Sequence, residues 1–316
     1  MEERFEQLLQ LALEEKATDI HFNIIDDEIT IALRGIRGLK SVPAERADIN
    51  LFNYLQYQAH LDITSLSKPQ SGAFSYYYRS VFYDFRFAVM STSKRRNGVL
   101  RILNCHEGLS LDELTYDKAV QDIFSEWLTL RSGLILFTGL TGSGKTTTLY
   151  SLLRMAKGKT VFSLEDPIEV AQENVVQMEI NEKTGFSYDE GIRQIMRHNP
   201  DIIMIGEIRD EKTAKMTVRA ALTGCLVVTS MHSRSTVSAM NRLLELGVNR
   251  SDLAESAVGI VNQRLMKKYG EDSYTCVYDL LNEDQIRGYL LRNDPVRSRM
   301  EEKVAWAVSQ KIIEET

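Results

Sequence analysis

Cysteine is scarce, with three in 316 residues, at positions 105, 225 and 276. So few thiols, so widely spaced, supply neither a zinc cluster nor a disulfide framework. The expectation is reduced, partly buried thiols in a reducing compartment, and no zinc. Long apolar runs are also missing. No stretch approaches the length that crosses a bilayer, and the opening Met1-Glu2-Glu3-Arg4-Phe5 lacks the apolar centre of a secretory signal. The expected location is the cytoplasm, with any membrane contact made peripherally through a partner. Positive charge is in deficit, the net charge being -6. That disfavours a surface built to coat nucleic acid, and the run Lys94-Arg95-Arg96 reads as a solvated loop. No internal repeat and no low-complexity tract is visible.

What is present begins with Gly139-Leu140-Thr141-Gly142-Ser143-Gly144-Lys145-Thr146, which fits the pattern G-x-x-x-x-G-K-[ST] at every fixed position. The apolar run Leu134-Ile135-Leu136-Phe137 leads in as a buried strand does, and Thr147 to Leu153 leads out with helical spacing. In that setting backbone N–H groups turn inward on phosphate oxygens, and the helix N-terminus adds its positive dipole end. Lys145 is expected on the β- and γ-phosphates, the Thr146 hydroxyl on Mg²⁺, and the stretch Gly139 to Thr147 around a nucleoside triphosphate.

The chain is long enough for two domains. An amphipathic helix opens it (Phe5, Leu8, Leu9, Ala12, Leu13), followed by strand-like Asp19–Ile24 and Glu28–Arg34. Ala73–Arg79, Phe82–Val89 and Val99–Leu103 complete a meandering sheet. The tyrosines there read as β-formers in a half-buried sheet and not as a base-stacking platform. The pattern loosens around Gly108 and the capping-like Ser110-Leu111-Asp112-Glu113. Beyond it strands and helices alternate, which signals an α/β fold with mostly parallel strands. The expected division is an N-terminal α+β domain over 1–105, a linker over 106–115 and an ATPase-sized α/β domain over 116–316.

Two strands of that second domain end in carboxylates: Leu164-Glu165-Asp166-Pro167-Ile168-Glu169 and Ile205-Gly206-Glu207. In an open parallel sheet, strand carboxyl ends face the ligand crevice. The aspartate that usually binds Mg²⁺ at the end of such a strand is replaced by Gly206, and Asp201 sits at the wrong end. Hydrolysis needs a carboxylate that orients and deprotonates water. Glu165 is the first choice for that base, with Glu207 in the metal shell, and the reversed assignment stays open. A further strand, Leu226–Ser230, ends in Met231-His232-Ser233. His232 reads either as a structural histidine or as a sensor of the γ-phosphate.

Together these segments resemble the secretion ATPase superfamily that drives type II secretion, type IV pili and DNA-uptake pili. The stretch 139–150 is similar to its P-loop, Ser163–Glu169 to its acidic "Asp box", Pro200–Asp210 to its atypical Walker B, and Ala221 to His232 to its "His box". Ala17-Thr18-Asp19-Ile20-His21, Asp84-Phe85-Arg86 and Val99–Leu103 resemble marker segments of its N-terminal domain. The likeness implies a RecA-like P-loop NTPase domain with a smaller, PAS-like α+β N-terminal domain. It also implies ATP with Mg²⁺, a homo-oligomeric ring of about six subunits as its partner assembly, and arginines at Arg86 and Arg101 that complete the site.

Three departures shape the expectation. Ala73 stands where many relatives carry arginine, Cys225 replaces a histidine after Gly224, and both the zinc-binding tetracysteine insert and an extra N-terminal domain are missing. A short, cysteine-poor member resembles the competence-pilus assembly ATPases of Gram-positive bacteria. Retraction ATPases are also short, but their Ala-Ile-Arg-Asn-Leu-Ile helix is not found after Leu265. The expected function is therefore ATP hydrolysis that powers a competence or type II secretion-like pseudopilus, alongside an inner-membrane platform protein and without direct nucleic-acid contact. The rival readings are a retraction ATPase, an ATP-binding scaffold with little hydrolysis, and a DNA-translocating motor.

Overall fold

The computed structural model describes all residues except 36–37, 64–67, 93, 104–108, 182–183 and 316. The chain divides into two compact units, Met1–Glu107 and Gly108–Thr316.

The first unit is a six-stranded antiparallel sheet in the order β3-β2-β1-β6-β5-β4. The strands are β1 Ala17–Ile25, β2 Glu28–Gly35, β3 Gly38–Val42, β4 Gln70–Tyr78, β5 Val81–Ser91 and β6 Arg95–Ile102. Helices α1 (Glu2–Glu14) and α2 (Asp48–Gln58) cover one face. Strand alternation divides β5 cleanly: Phe85, Phe87 and Val89 enter the core, while Arg86, Ala88 and Met90 are exposed. Phe22, Phe52 and Phe87 meet edge to face at centroid distances of 5.4–6.0 Å. Asp48 clamps the two helices, accepting both Nε (2.8 Å) and Nη2 (3.0 Å) of Arg4.

One sequence expectation is corrected here. Arg95 and Arg96 do not lie in a solvated loop but begin β6, with Lys94 alone in the turn. Arg96 is recruited by tertiary contacts, a hydrogen bond to Asn53 at 3.1 Å and a guanidinium 5.6 Å above the Phe52 ring. The tyrosines at 76–78 lie in β4 as expected, Tyr76 half-buried and meeting Phe5 edge to face, Tyr77 exposed and Tyr78 buried.

The second unit is built on a seven-stranded sheet in the order β13-β12-β7-β11-β10-β8-β9. Its strands are β7 Gly133–Thr138, β8 Val161–Glu165, β9 Val175–Glu179, β10 Ile202–Ile205, β11 Leu226–Met231, β12 Ala257–Lys267 and β13 Tyr274–Asn282. All pairings are parallel except β12 with β13. Strands β7, β8, β10 and β11 are buried along their whole length, which is why they read as unbroken apolar runs.

Helices α3 (Leu111–Leu114), α4 (Lys118–Trp127) and α5 (Lys145–Met155) pack on one face. On the other lie α6 (Tyr188–Ile195), α7 (Glu211–Leu222), α8 (Thr236–Glu245) and α9 (Arg250–Ser256), giving three layers. The expected linker falls partly outside the described residues. Its remaining part forms α3, with the Ser110 N–H bonded to Glu113 Oε2 (2.8 Å) and Leu111 and Leu114 buried.

The sheet order positions the chemistry. Strand β11 lies between β7, which feeds the glycine-rich loop, and β10, which ends before Glu207. Whatever follows β11 therefore emerges between the loop and Glu207. That residue is His232.

Candidate active site

The glycine-rich loop joins β7 to α5 through backbone that only glycine suits. Gly144 caps α5 at φ 85°. A Cβ on Gly139 would lie 2.5 Å from Ser143 Oγ and 2.6 Å from the Gln263 carbonyl. Lys145, 8% exposed, folds back along the loop. Its Nζ donates to the carbonyls of Gly139 (3.0 Å) and Leu140 (3.3 Å) and lies 3.5 Å from Nδ1 of His232. Burial lowers the ammonium's pKa, opposed by the charges of Glu207 and Glu169.

His232 joins the loop to the acidic strand end. Its Nε2 lies 3.2 Å from Glu207 Oε1. A lysine ammonium only donates, so the ring accepts from Lys145 at Nδ1 and, with its proton on Nε2, donates to Glu207. The other oxygen of Glu207 accepts Arg209 Nε at 2.8 Å, and the same guanidinium reaches Asp166 at 3.1 Å. Arg209 thus links the segments that follow β8 and β10, and Glu207 holds its pKa up most strongly.

Glu165 sits differently. It is 2% exposed and receives Ser163 Oγ (2.5 Å), Gln177 Nε2 (3.0 Å) and the hydroxyl of Tyr150. Arg86 and Arg101 belong to the first unit, directly opposite each other across β5 and β6. Asp19 accepts Arg101 Nε at 2.8 Å, and Ser71 accepts Arg86 Nε at 3.1 Å. The structure therefore brings Lys145, His232 and Glu207 into one line, places Glu165 in a closed pocket of its own, and pairs the two arginines with each other. Thr146 and Thr147 lie half-buried in the first turn of α5. Asp201, at the far end of β10, accepts the Thr160 N–H at 2.7 Å.

Two residues behind the loop escaped the motif reading. Gln263 is 1% exposed; its Nε2 donates to the Ser143 carbonyl (2.7 Å), and Thr148 Oγ1 donates to its Oε1 (3.1 Å). Thr148 also meets the Tyr278 hydroxyl at 2.9 Å. The available signal is a pair of polar residues, Asn262 and Gln263, buried directly after the apolar stretch Ala257–Val261 of β12. Cys225 and Cys276 are free, buried thiols, each pushed up to about 11 by burial and so poor nucleophiles. Cys105 lies outside the described residues.

The family described as "Type II/IV secretion system protein" matches residues 1–302. The chain belongs to that family. It is 36% identical over 268 residues to "Competence protein ComGA" of Bacillus subtilis (strain 168), covering 82% of this chain and 74% of that protein. It is 34% identical over 265 residues to "Type II secretion system protein E" of Pseudomonas aeruginosa, covering 82% of this chain and 53% of that protein. The chain thus spans about three quarters of the first relative's length and about half of the second's.

Among solved structures, the Legionella pneumophila ATPase DotB aligns with a TM-score of 0.80 at 22% identity, covering 98% of this chain and 93% of that one. The pilus retraction motor PilT, solved with bound ADP, aligns with a TM-score of 0.72 at 26% identity, covering 98% and 90%. The fold is α/β, a RecA-like P-loop domain accompanied by a smaller α+β N-terminal domain, and the protein is an ATPase of the type II/IV secretion family.

Proposed function

We propose that this ATPase powers assembly of a competence or type II secretion-like pseudopilus for DNA uptake. The observation that carries the chemistry is His232 standing between Lys145 Nζ and Glu207 Oε1. A group on that line meets the γ-phosphate when the loop is filled and passes its arrival or departure to Glu207. The likeness to the competence protein supports the biological half. The likeness to a retraction motor keeps the opposite direction of pilus movement as the second reading.

In this reading Gly139 to Thr147 cradle ATP and Lys145 neutralises the β- and γ-phosphates. Thr146 and Glu207 present the oxygen donors that suit Mg²⁺, which would neutralise phosphate charge there. Glu165 takes the proton of the attacking water as it bonds to the γ-phosphorus, while the ADP oxygen leaves with its bonding electrons. Arg86 and Arg101 stabilise that departing charge from another domain or subunit, so hydrolysis and movement are tied together. Residues 1–105 serve as the moving arginine-bearing domain and 116–316 as the ATPase domain. Among the described residues no helix is long and apolar enough to cross a membrane. The proposed setting is a homo-oligomeric, six-membered ring on the cytoplasmic face, working against an inner-membrane platform protein.

Deleting the gene in its source organism is expected to abolish uptake of transforming DNA while leaving surface motility intact. A wild-type copy should restore uptake and a Lys145→Ala copy should not. Normal DNA uptake with lost or frozen motility would move the protein to the retraction reading.

A further inference from the structure

Glu165 is closed by three donors, and their origins differ. Ser163 lies two residues back on β8, and Gln177 is its register partner on the neighbouring β9. Both are fixed to the sheet. Tyr150 comes instead from α5, the helix whose first residues, Lys145 and Thr146, follow directly on the glycine-rich loop. It is 4% exposed. Its hydroxyl donates to Glu165 Oε2 and accepts the backbone N–H of Glu169 at 3.2 Å. One phenol therefore ties the nucleotide-holding helix to the carboxylate and to the chain that follows it. Burial above all, and then the Glu165 charge, raises the phenol's pKa, so it stands as a donor across the physiological range.

A carboxylate shut off from solvent and enclosed by three donors leaves an attacking water no approach to its oxygens. To serve an attacking water it must shed a donor and open to solvent. Donors held on β8 and β9 move with Glu165. The donor on α5 is the one that nucleotide can displace relative to it.

We infer that Tyr150 is a positioning residue that latches Glu165, and that separation of its hydroxyl from Oε2 is what releases Glu165 to the attacking water. This rests on the reading of Glu165 as the base. On release, the freed Oε2 takes a water proton, the water oxygen bonds to the γ-phosphorus, and the bridging bond to ADP breaks with its electrons on ADP.

The test is steady-state phosphate release by the full chain with Mg²⁺ and ATP, comparing wild type, Tyr150→Phe, Glu165→Gln and the double variant. Tyr150→Phe keeps the ring and removes the latch. It is expected to raise unstimulated kcat about fivefold, the scale of one lost hydrogen bond, with KM nearly unchanged. In the Glu165→Gln background the same change should do nothing, because there is no base to release.

An unchanged or lowered kcat in Tyr150→Phe, with Glu165→Gln inactive, overturns the latch and leaves the base standing. Equal effects of Tyr150→Phe in both backgrounds also overturn it, since that is the mark of a purely structural tyrosine. Wild-type turnover in Glu165→Gln is a separate result and removes the base itself. Should Tyr150→Phe fold poorly by thermal unfolding, 3,5-difluorotyrosine at 150 keeps the shape and strengthens the donor. It is expected to slow turnover, and unchanged turnover contradicts the latch.

Discussion

Turnover is expected to fall about a thousandfold when Arg101 is replaced by alanine, the lower end of what a charge-stabilising arginine contributes to phosphoryl transfer. The expectation comes from how the residue is held. Arg101 and Arg86 stand directly opposite each other on neighbouring strands, an arrangement that costs free energy through like-charge repulsion. Among the described residues only Arg101 of the two has an acidic partner, Asp19, which is 8% exposed and takes its Nε. Arg101 itself remains 62% exposed, so its guanidinium is braced at one edge and presented at the other.

In the proposed role, this braced, exposed arginine and its neighbour meet the negative charge that develops on the ADP oxygen as it leaves. If the arginine reaches a neighbouring subunit, mixing inactive Arg101→Ala protein with inactive Lys145→Ala protein should restore part of the turnover. A mixed interface in which the Arg101→Ala subunit supplies the loop and the Lys145→Ala subunit the arginine is then intact, and the reverse interface is not. Full activity in Arg101→Ala alone would contradict the role.

Replacing Glu207 by glutamine is expected to lower kcat by about a hundredfold or more while nucleotide affinity changes only a few-fold. The change keeps the shape and removes the charge. Glu207 opposes the burial penalty on Lys145, anchors His232 and holds Arg209. Loss of its charge unbalances all three together, and it removes an oxygen donor suited to Mg²⁺ from the transition state. Binding depends mainly on loop backbone, so it should persist. Measuring nucleotide affinity by fluorescence beside single-turnover hydrolysis separates the two. Equal losses in affinity and kcat/KM, with kcat intact, would return Glu207 to a binding role.

Sequence patterns made the catalytic half of the fold legible where physics leaves a local mark. Strands β7, β8, β10 and β11 are buried on both faces and so appear as apolar runs. The loop needs glycine and lysine at fixed spacing, and the acidic strand ends follow from the direction of the strands. The contacts that tune the site are written nowhere locally. Gln263 reaches the loop from 120 residues away, and Tyr150 reaches Glu165 across 15. Helix α2 leaves no such mark, because its burial at Leu51, Phe52 and Leu55 depends on a sheet formed by distant strands. The same distance effect reversed the reading of Arg95 and Arg96. Sequence placed His232 at a strand end but not between two partners, since that position follows from β11 being inserted beside β7.

In the proposed mechanism the line from Lys145 through His232 to Glu207 is a working hydrolysis site. It is tested most directly by phosphate release from purified wild-type chain with Mg²⁺ and ATP, run beside Lys145→Ala. Sustained, saturable release by wild type, with the variant at background, is the predicted result. Tight ATP binding by wild type with phosphate release no faster than the variant's would make the protein a nucleotide-gated scaffold and rule out hydrolysis at this site.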